Sequence, residues 1–165
     1  MIFLTVGTSF PFDRLVKAVD EAVTRGKIAE DIFAQIGRGG YRPKNFDSVE
    51  TLDKKKFDEY FERSGSVIAH AGMGTITMAL EENKPILVAP RLKKYRELVN
   101  DHQLATAKRF EQLGHVVAVY DLINLPDKLQ LLQSFQPVRR NSQPEKVAAR
   151  IGFFLQYLQQ KEITK

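Results

Sequence analysis

The chain has 165 residues, 43% of them hydrophobic and 27% charged, with no cysteine and a formal net charge of +5. That length suits one domain of about 100–200 residues, and the composition is that of an ordinary soluble globular protein. The lack of cysteine excludes disulfides, thiolate metal sites and a cysteine nucleophile, and no stretch reaches the roughly 20 apolar residues of a bilayer-spanning helix, so the sequence is expected to carry no membrane anchor of its own.

Taken in order, the segments alternate strand and helix. The opening MIFLTVGTSF meets Gly7 and Pro11 too soon for a signal peptide and reads as a buried strand, Ile2–Val6. Phe12–Thr24 has apolar residues at helical spacing. Ile32–Ile36 is a second strand, closed by the turn Gly37-Arg38-Gly39-Gly40, and Ser48–Leu52 a short third. Asp53–Arg63 is expected to be helical, with Phe57, Tyr60 and Phe61 on one side. A strand at Ser66–Ala69 leads through Gly72-Met73-Gly74 into a helix from about Thr75 to Glu82. Pro85–Ala89 is a strand, Leu98–Leu113 a helix stopped by Gly114, and Val116–Tyr120 the last strand. Leu125–Phe135 and Gln143–Gln160 are C-terminal helices, joined by the linker-like Gln136–Pro144 and expected to pack on the same domain. Short, continuously apolar strands between helices predict a Rossmann-like α/β fold: one parallel sheet with helices on both faces, spanning 1–165 as a single domain with C-terminal helices from about residue 122.

Basic residues cluster at Lys54-Lys55-Lys56, within Arg91–Arg96 and at Arg139-Arg140. Each cluster is either a solvated face or an attraction for anions, such as a nucleotide, lipid phosphates or an acidic partner. Nucleic acid is not the expected partner, because no aromatic-basic interleaving or DNA-binding motif is present.

In open parallel sheets, ligands sit at the carboxyl ends of the strands. Two glycine turns fall there: Gly7-Thr8-Ser9 after the first strand, and His70-Ala71-Gly72-Met73-Gly74-Thr75 after the Ser66–Ala69 strand. Glycine permits a sharp turn and close ligand approach, and the helix start that follows offers free amides to a phosphate; the same glycines would serve a plain tight turn. There is no Walker lysine, and Thr77 stands where a dinucleotide fingerprint needs glycine or alanine, which argues against a nucleoside triphosphatase or a dehydrogenase. The segment Asn100-Asp101-His102-Gln103 supplies helix caps or, taken whole, donors and acceptors suited to sugar hydroxyls.

The order strand-Gly-Thr-Ser, HAGMGT, KPILVAP and NDHQLATA resembles the C-terminal donor domain of MurG-type enzymes, glycosyltransferase family 28. The likeness covers about residues 1–120 and is nearest to short, single-domain members, the PssE-like proteins of exopolysaccharide and capsule synthesis among them. It implies the C-terminal half of a GT-B glycosyltransferase that binds a UDP-sugar without a metal and without a cofactor. By the resemblance, Gly7 and Thr8 lie near the diphosphate and the acceptor side, with Ser9 beside them. Gly72, Met73, Gly74 and Thr75 hold the diphosphate. Leu52 falls near the uracil, where the family uses its main chain, and His102 and Gln103 reach the donor sugar, with Asn100 and Asp101 adjacent. Where many members carry a ribose-binding glutamate, this chain has Met78. His70 is the local candidate for a general base, its alternative being a structural hydrogen bond at a strand end.

The split members of this family work with a second subunit. The resemblance therefore implies a membrane-anchored, PssD-like partner that binds the polyprenyl-linked acceptor, with this chain cytoplasmic and held at the inner face of the membrane through that partner. The alternative is a non-catalytic activator that keeps the fold and stabilises a membrane-bound transferase.

Overall fold

The structure is a computed structural model and describes residues 1–139 and 144–163. Six strands form one parallel sheet: β1 (Ile2–Thr5), β2 (Ile32–Gln35), β3 (Asp47–Val49), β4 (Ser66–His70), β5 (Ile86–Ala89) and β6 (Val117–Ala118). Their order across the sheet is β3-β2-β1-β4-β5-β6. The chain works outward from β1 to β3, then crosses back to place β4 on the other side of β1. The order therefore reverses between β1 and β4, the place where doubly wound sheets open a crevice.

Side-chain alternation sends each strand's residues to both faces. On one face Ile2, Leu4 and Val6 pack with Ile68 and Leu87 under α1 (Asp13–Thr24) and α5 (Leu125–Ser134). On the other, Phe3, Val67, Ala69 and Val88 pack under α2 (Lys54–Arg63), α3 (Met73–Glu81) and α4 (His102–Gln112). Helix α1 forms because Leu15, Val16, Val19 and Ala22 fall on one buried stripe. Helix α2 starts where Asp53 accepts from the Lys56 amide at 2.8 Å. The parallel, doubly covered sheet agrees with the expectation from sequence.

The connection from β2 to β3 contains no helix, and two carboxylates of α1 hold it: Asp13 accepts from the Tyr41 amide at 2.8 Å, and Asp20 makes the larger set of contacts. Asp20 of α1, 3% exposed, accepts from the Tyr41 hydroxyl at 2.8 Å, from the amides of Lys44 and Asn45, and from the Asn45 side chain. Burial pushes its pKa up, but the donors from Tyr41, Lys44 and Asn45 outweigh burial and hold the carboxyl below its usual value.

Several boundaries differ from the sequence reading. Helix α3 begins at Met73, so Gly74 and Thr75 lie within its first turn; Gly72 is the cap and no side chain is required. The expected Leu98–Leu113 helix begins only at His102, because the polar residues before it are spent on the loop. Strand β6 is two residues and not five. The final helix α6 (Pro144–Ile163) corrects a larger expectation: Val147, Ile151, Phe154, Leu155 and Leu158 are exposed and do not pack on the domain. The sheet's two faces are already covered by α1 to α5, which leaves that stripe no strand to cover. Part of the linker-like segment, residues 140–143, lies outside the described residues, as do Arg140 of the Arg139-Arg140 pair and the expected helix start at Gln143.

Candidate functional site

The two glycine turns meet at the switch point, one at the end of β1 and one at the end of β4, the strand beside it. Gly7 has φ +80°, a conformation that favours glycine, and its amide donates to Thr5 Oγ1 at 3.3 Å. Thr5 in turn donates to Gln35 Oε1 at 2.9 Å, so the buried end of β2 props the turn.

The imidazole of His70 fills the space between the turns. A Cβ at Gly7 would lie 2.9 Å from its Cε1, and one at Gly72 would lie 2.2 Å from its Nε2. Glycine is therefore needed at both places to admit the ring. Burial, helped by the positive charge of Arg91 and opposed by a smaller effect of the Thr5 main chain, lowers the His70 pKa from 6.5 to about 4. The ring is neutral near pH 7 and can donate or accept a hydrogen bond. A pKa of about 4 also makes it a weak proton acceptor, which fits polar contact with a ligand better than general-base work.

Gly74 differs from its neighbours: a Cβ there meets nothing within 4 Å. The first turn of α3 is thus open on the ligand side, with Met73 and Gly74 exposed and Thr75 half-buried. Its first amides have no acceptor within the helix, and the helix dipole adds positive potential there. Thr8 and Ser9 are exposed on the opposite wall.

The Asn100–Gln103 segment divides its labour. Asn100 Oδ1 accepts from the His102 amide and bonds the His102 ring, and Asp101 Oδ1 accepts from the Lys93 amide at 2.7 Å. These two shape the loop, whereas His102 is exposed at the helix start. Gln103 is 5% exposed, and its Oε1 accepts from the Arg91 amide at 3.0 Å. The sugar role that the resemblance implies would thus fall to its Nε2, which has no partner among the described residues. Leu52 is not brought to the glycine turns. It follows β3, two strands from β1, and its half-buried side chain packs against the same apolar cluster as Phe33, Phe57 and Tyr60. Met78 is half-buried against the same apolar cluster and takes no polar role.

The sequence reading missed one organising residue. Arg91, grouped there with a basic loop, is 3% exposed, and its guanidinium donates to the carbonyls of Val6 at 2.9 Å and Phe10 at 2.6 Å, with Pro11 at 3.5 Å. Arg14 adds a second staple, to Glu97 at 2.8 Å and to the Pro90 carbonyl at 3.1 Å. Together they fix the loop after β1 against the loop after β5. The available signal was position: Arg91 directly follows the strand end Ala89-Pro90, flanked by apolar residues on both sides.

The crevice therefore joins open helix-start amides, a neutral imidazole and two glycine turns, the first of them on a loop held by the Arg91 contacts. Comparisons with known proteins bear on the family and the fold. The model of the glycosyltransferase family 28 C-terminal domain matches residues 1–153. The UDP-N-acetylglucosamine transferase subunit ALG13 of Homo sapiens is 36% identical over 124 residues, 70% of this chain and 10% of that protein. The protein of the same name in Eremothecium gossypii is 42% identical over 53 residues, 32% of this chain and 24% of the relative. The chain spans about a tenth of the human relative's length. Among solved structures, MurG of Acinetobacter baumannii superposes with a TM-score of 0.60 at 19% identity, over 80% of this chain and 41% of MurG. A glycosyltransferase of kitacinnamycin gives 0.60 at 21% identity, over 81% and 34%. Those two likenesses concern the fold.

Proposed function

The chain belongs to the glycosyltransferase family 28 C-terminal domain family, and on that premise we propose that it is the donor-binding subunit of a two-component UDP-sugar transferase. In this reading the acceptor is a polyprenyl-linked sugar used in exopolysaccharide or capsule synthesis. The acceptor site lies on a membrane-anchored, PssD-like subunit that holds this chain at the inner face of the membrane. The name of the ALG13 relatives, which describes a transferase subunit, supports the partner.

The observation that carries the reading is the pair of glycine turns at the β1/β4 switch point, with the first turn of α3 open at Gly74. Transfer with inversion moves the anomeric carbon from the UDP oxygen to the acceptor hydroxyl. The bond to UDP breaks as the new glycosidic bond forms, and the acceptor's proton passes to a base. Negative charge grows on the leaving diphosphate, where the α3 amides and the helix dipole stabilise it. His70, neutral between the turns, donates or accepts a hydrogen bond beside that charge. His102 and the Gln103 amide nitrogen meet the donor sugar.

Isothermal titration of the chain with UDP, with and without chelator, tests this. Binding that persists in chelator is expected; no heat of binding at millimolar UDP, or binding abolished by chelation, overturns the donor-site assignment. Met78 in the place of the ribose-binding glutamate favours a second reading, a non-catalytic activator of a membrane-bound transferase. That reading predicts no UDP binding in the isolated chain or in the complex.

A further inference from the structure

One part of the carboxyl-end rim is unused by sugar transfer. Phe10, on the loop after β1, is 59% exposed, and Tyr95, on the loop after β5, is 50% exposed. They line one open groove with Pro11, Arg14 and Arg96. The rings are held out and not collapsed inward. The Arg14 guanidinium lies 4.5 Å from the centre of the Tyr95 ring, and Lys94 Nζ lies 4.8 Å from it. The loop itself is shaped by a 3-10 turn at Lys93–Tyr95 and by Arg96 in the left-handed region at φ +59°.

Asp13 and Glu97 also line the groove, and with Asp101 they stand against Arg14, Lys93, Lys94 and Arg96, so positive charge is in slight excess and lies on the exposed side chains. Lys93, Lys94 and Arg96 are exposed, and among the described residues no carboxylate pairs with them. The acids nearby are engaged with the loops. Glu97 takes Arg14 and the Leu92 amide, Asp101 the Lys93 amide, and Asp13 the Tyr41 amide. A protein interface core is depleted of lysine and built on contiguous apolar area. Two aromatic tips set among unpaired cations lack that character and match what an anionic bilayer surface selects: rings at the interfacial depth, cations at the headgroups.

We infer that this rim is a direct contact of the chain with an anionic membrane, additional to any anchoring by a partner. Phe10 and Tyr95 enter the interfacial layer while Lys93, Lys94 and Arg96 face the headgroups. The same contact would turn the crevice toward the bilayer. The inference does not require the donor to be a UDP-sugar.

Co-flotation of the full chain, without a partner, with vesicles of phosphatidylcholine alone or mixed with phosphatidylglycerol tests it. The chain is expected to float with the anionic vesicles and to be released by salt. Each cation contributes about fivefold to partitioning, so Lys94→Gln with Arg96→Gln together should weaken it about thirtyfold, and Phe10→Ser should weaken it further. Circular dichroism and UDP titration of these variants should match the parent chain. A control pair in α6, Phe154→Ser with Leu158→Ser, should float like the parent. The inference is overturned if the folded chain ignores anionic vesicles, if the rim variants bind as well as the parent, or if binding follows the α6 variant instead. UDP binding is read separately, so failure here leaves the donor-site assignment standing, and the converse holds.

Discussion

Replacing His70 with asparagine should flatten the acid limb of the stability curve. In the folded chain burial and the Arg91 charge hold the His70 pKa at about 4, against 6.5 for an ordinary imidazole. The folded value is depressed, so the unfolded chain binds the proton first and stability falls as pH falls. The full contribution is present above pH 6.5, declines through the window from 6.5 to 4, and is gone below it. At pH 5 the unfolded imidazole is almost wholly charged while the folded one is about nine-tenths neutral; at 1.36 kcal/mol per pKa unit the parent chain is then about 2 kcal/mol less stable than at pH 8. The full loss by pH 4 is about 3 kcal/mol, but carboxylates join in there, Asp20 among them, so the window above pH 5 is the diagnostic one. Urea denaturation of parent and His70→Asn at half-unit steps from pH 8 to 5 gives two curves whose difference isolates this ring. The substitution itself shifts the whole variant curve by a constant, which leaves the slope unaffected. Two parallel curves, or a parent that gains stability relative to the variant on acidification, would refute the assignment of a buried, neutral His70 between the glycine turns.

The glycines of the second turn should part company under substitution. Gly72→Ala places a Cβ 2.2 Å from His70 Nε2 and should cost about 1–3 kcal/mol of stability through overpacking, read as a lower urea midpoint. Gly74→Val has open space and should keep the parent's circular dichroism while weakening UDP binding at least tenfold; unchanged affinity removes the α3 start from the site. Gln103→Ala should act twice, since it takes away the buried acceptor of the Arg91 amide, at about 1–3 kcal/mol, as well as the proposed sugar contact. Gln103→Glu keeps that acceptor, so it should retain stability and UDP affinity while losing the extra affinity for UDP-sugar over UDP. An equal loss of UDP and UDP-sugar binding in Gln103→Glu places the side chain on the nucleotide or on the fold instead.

The fold was legible where pattern and physics coincide. Strands buried on both faces announce themselves as unbroken runs such as Ile86-Leu87-Val88-Ala89, and glycines mark their ends. The turns at Gly7 and Gly72 were found for the same reason. What escaped the sequence was the set of long-range polar contacts. Nothing near Arg91 in the chain says that its head group will meet carbonyls some eighty residues earlier, and nothing near Asp20 says that it will hold residues 41 to 45. The resemblance makes Gln103 a ligand contact, yet its oxygen is already used inside the protein, because a helix start beside a strand end brings the Arg91 amide within reach. The stripe on α6 shows the opposite limit. Periodicity reports that a face is apolar, not what covers it.

The staples between the loops after β1 and β5 also bear on how the protein is made. Arg91 reaches Val6 across 85 positions and Arg14 reaches Glu97 across 83. On a growing chain, β1, α1 and β2 emerge and can pair while the loop after β1 still lacks the groups that set its shape. Contacts this distant in sequence bear the largest loop-closure cost and tend to form late. The crevice is therefore among the last regions to acquire its final form, well after the secondary structure around it, and a nascent chain halted before residue 91 would display the first glycine turn without the contacts that fix its loop.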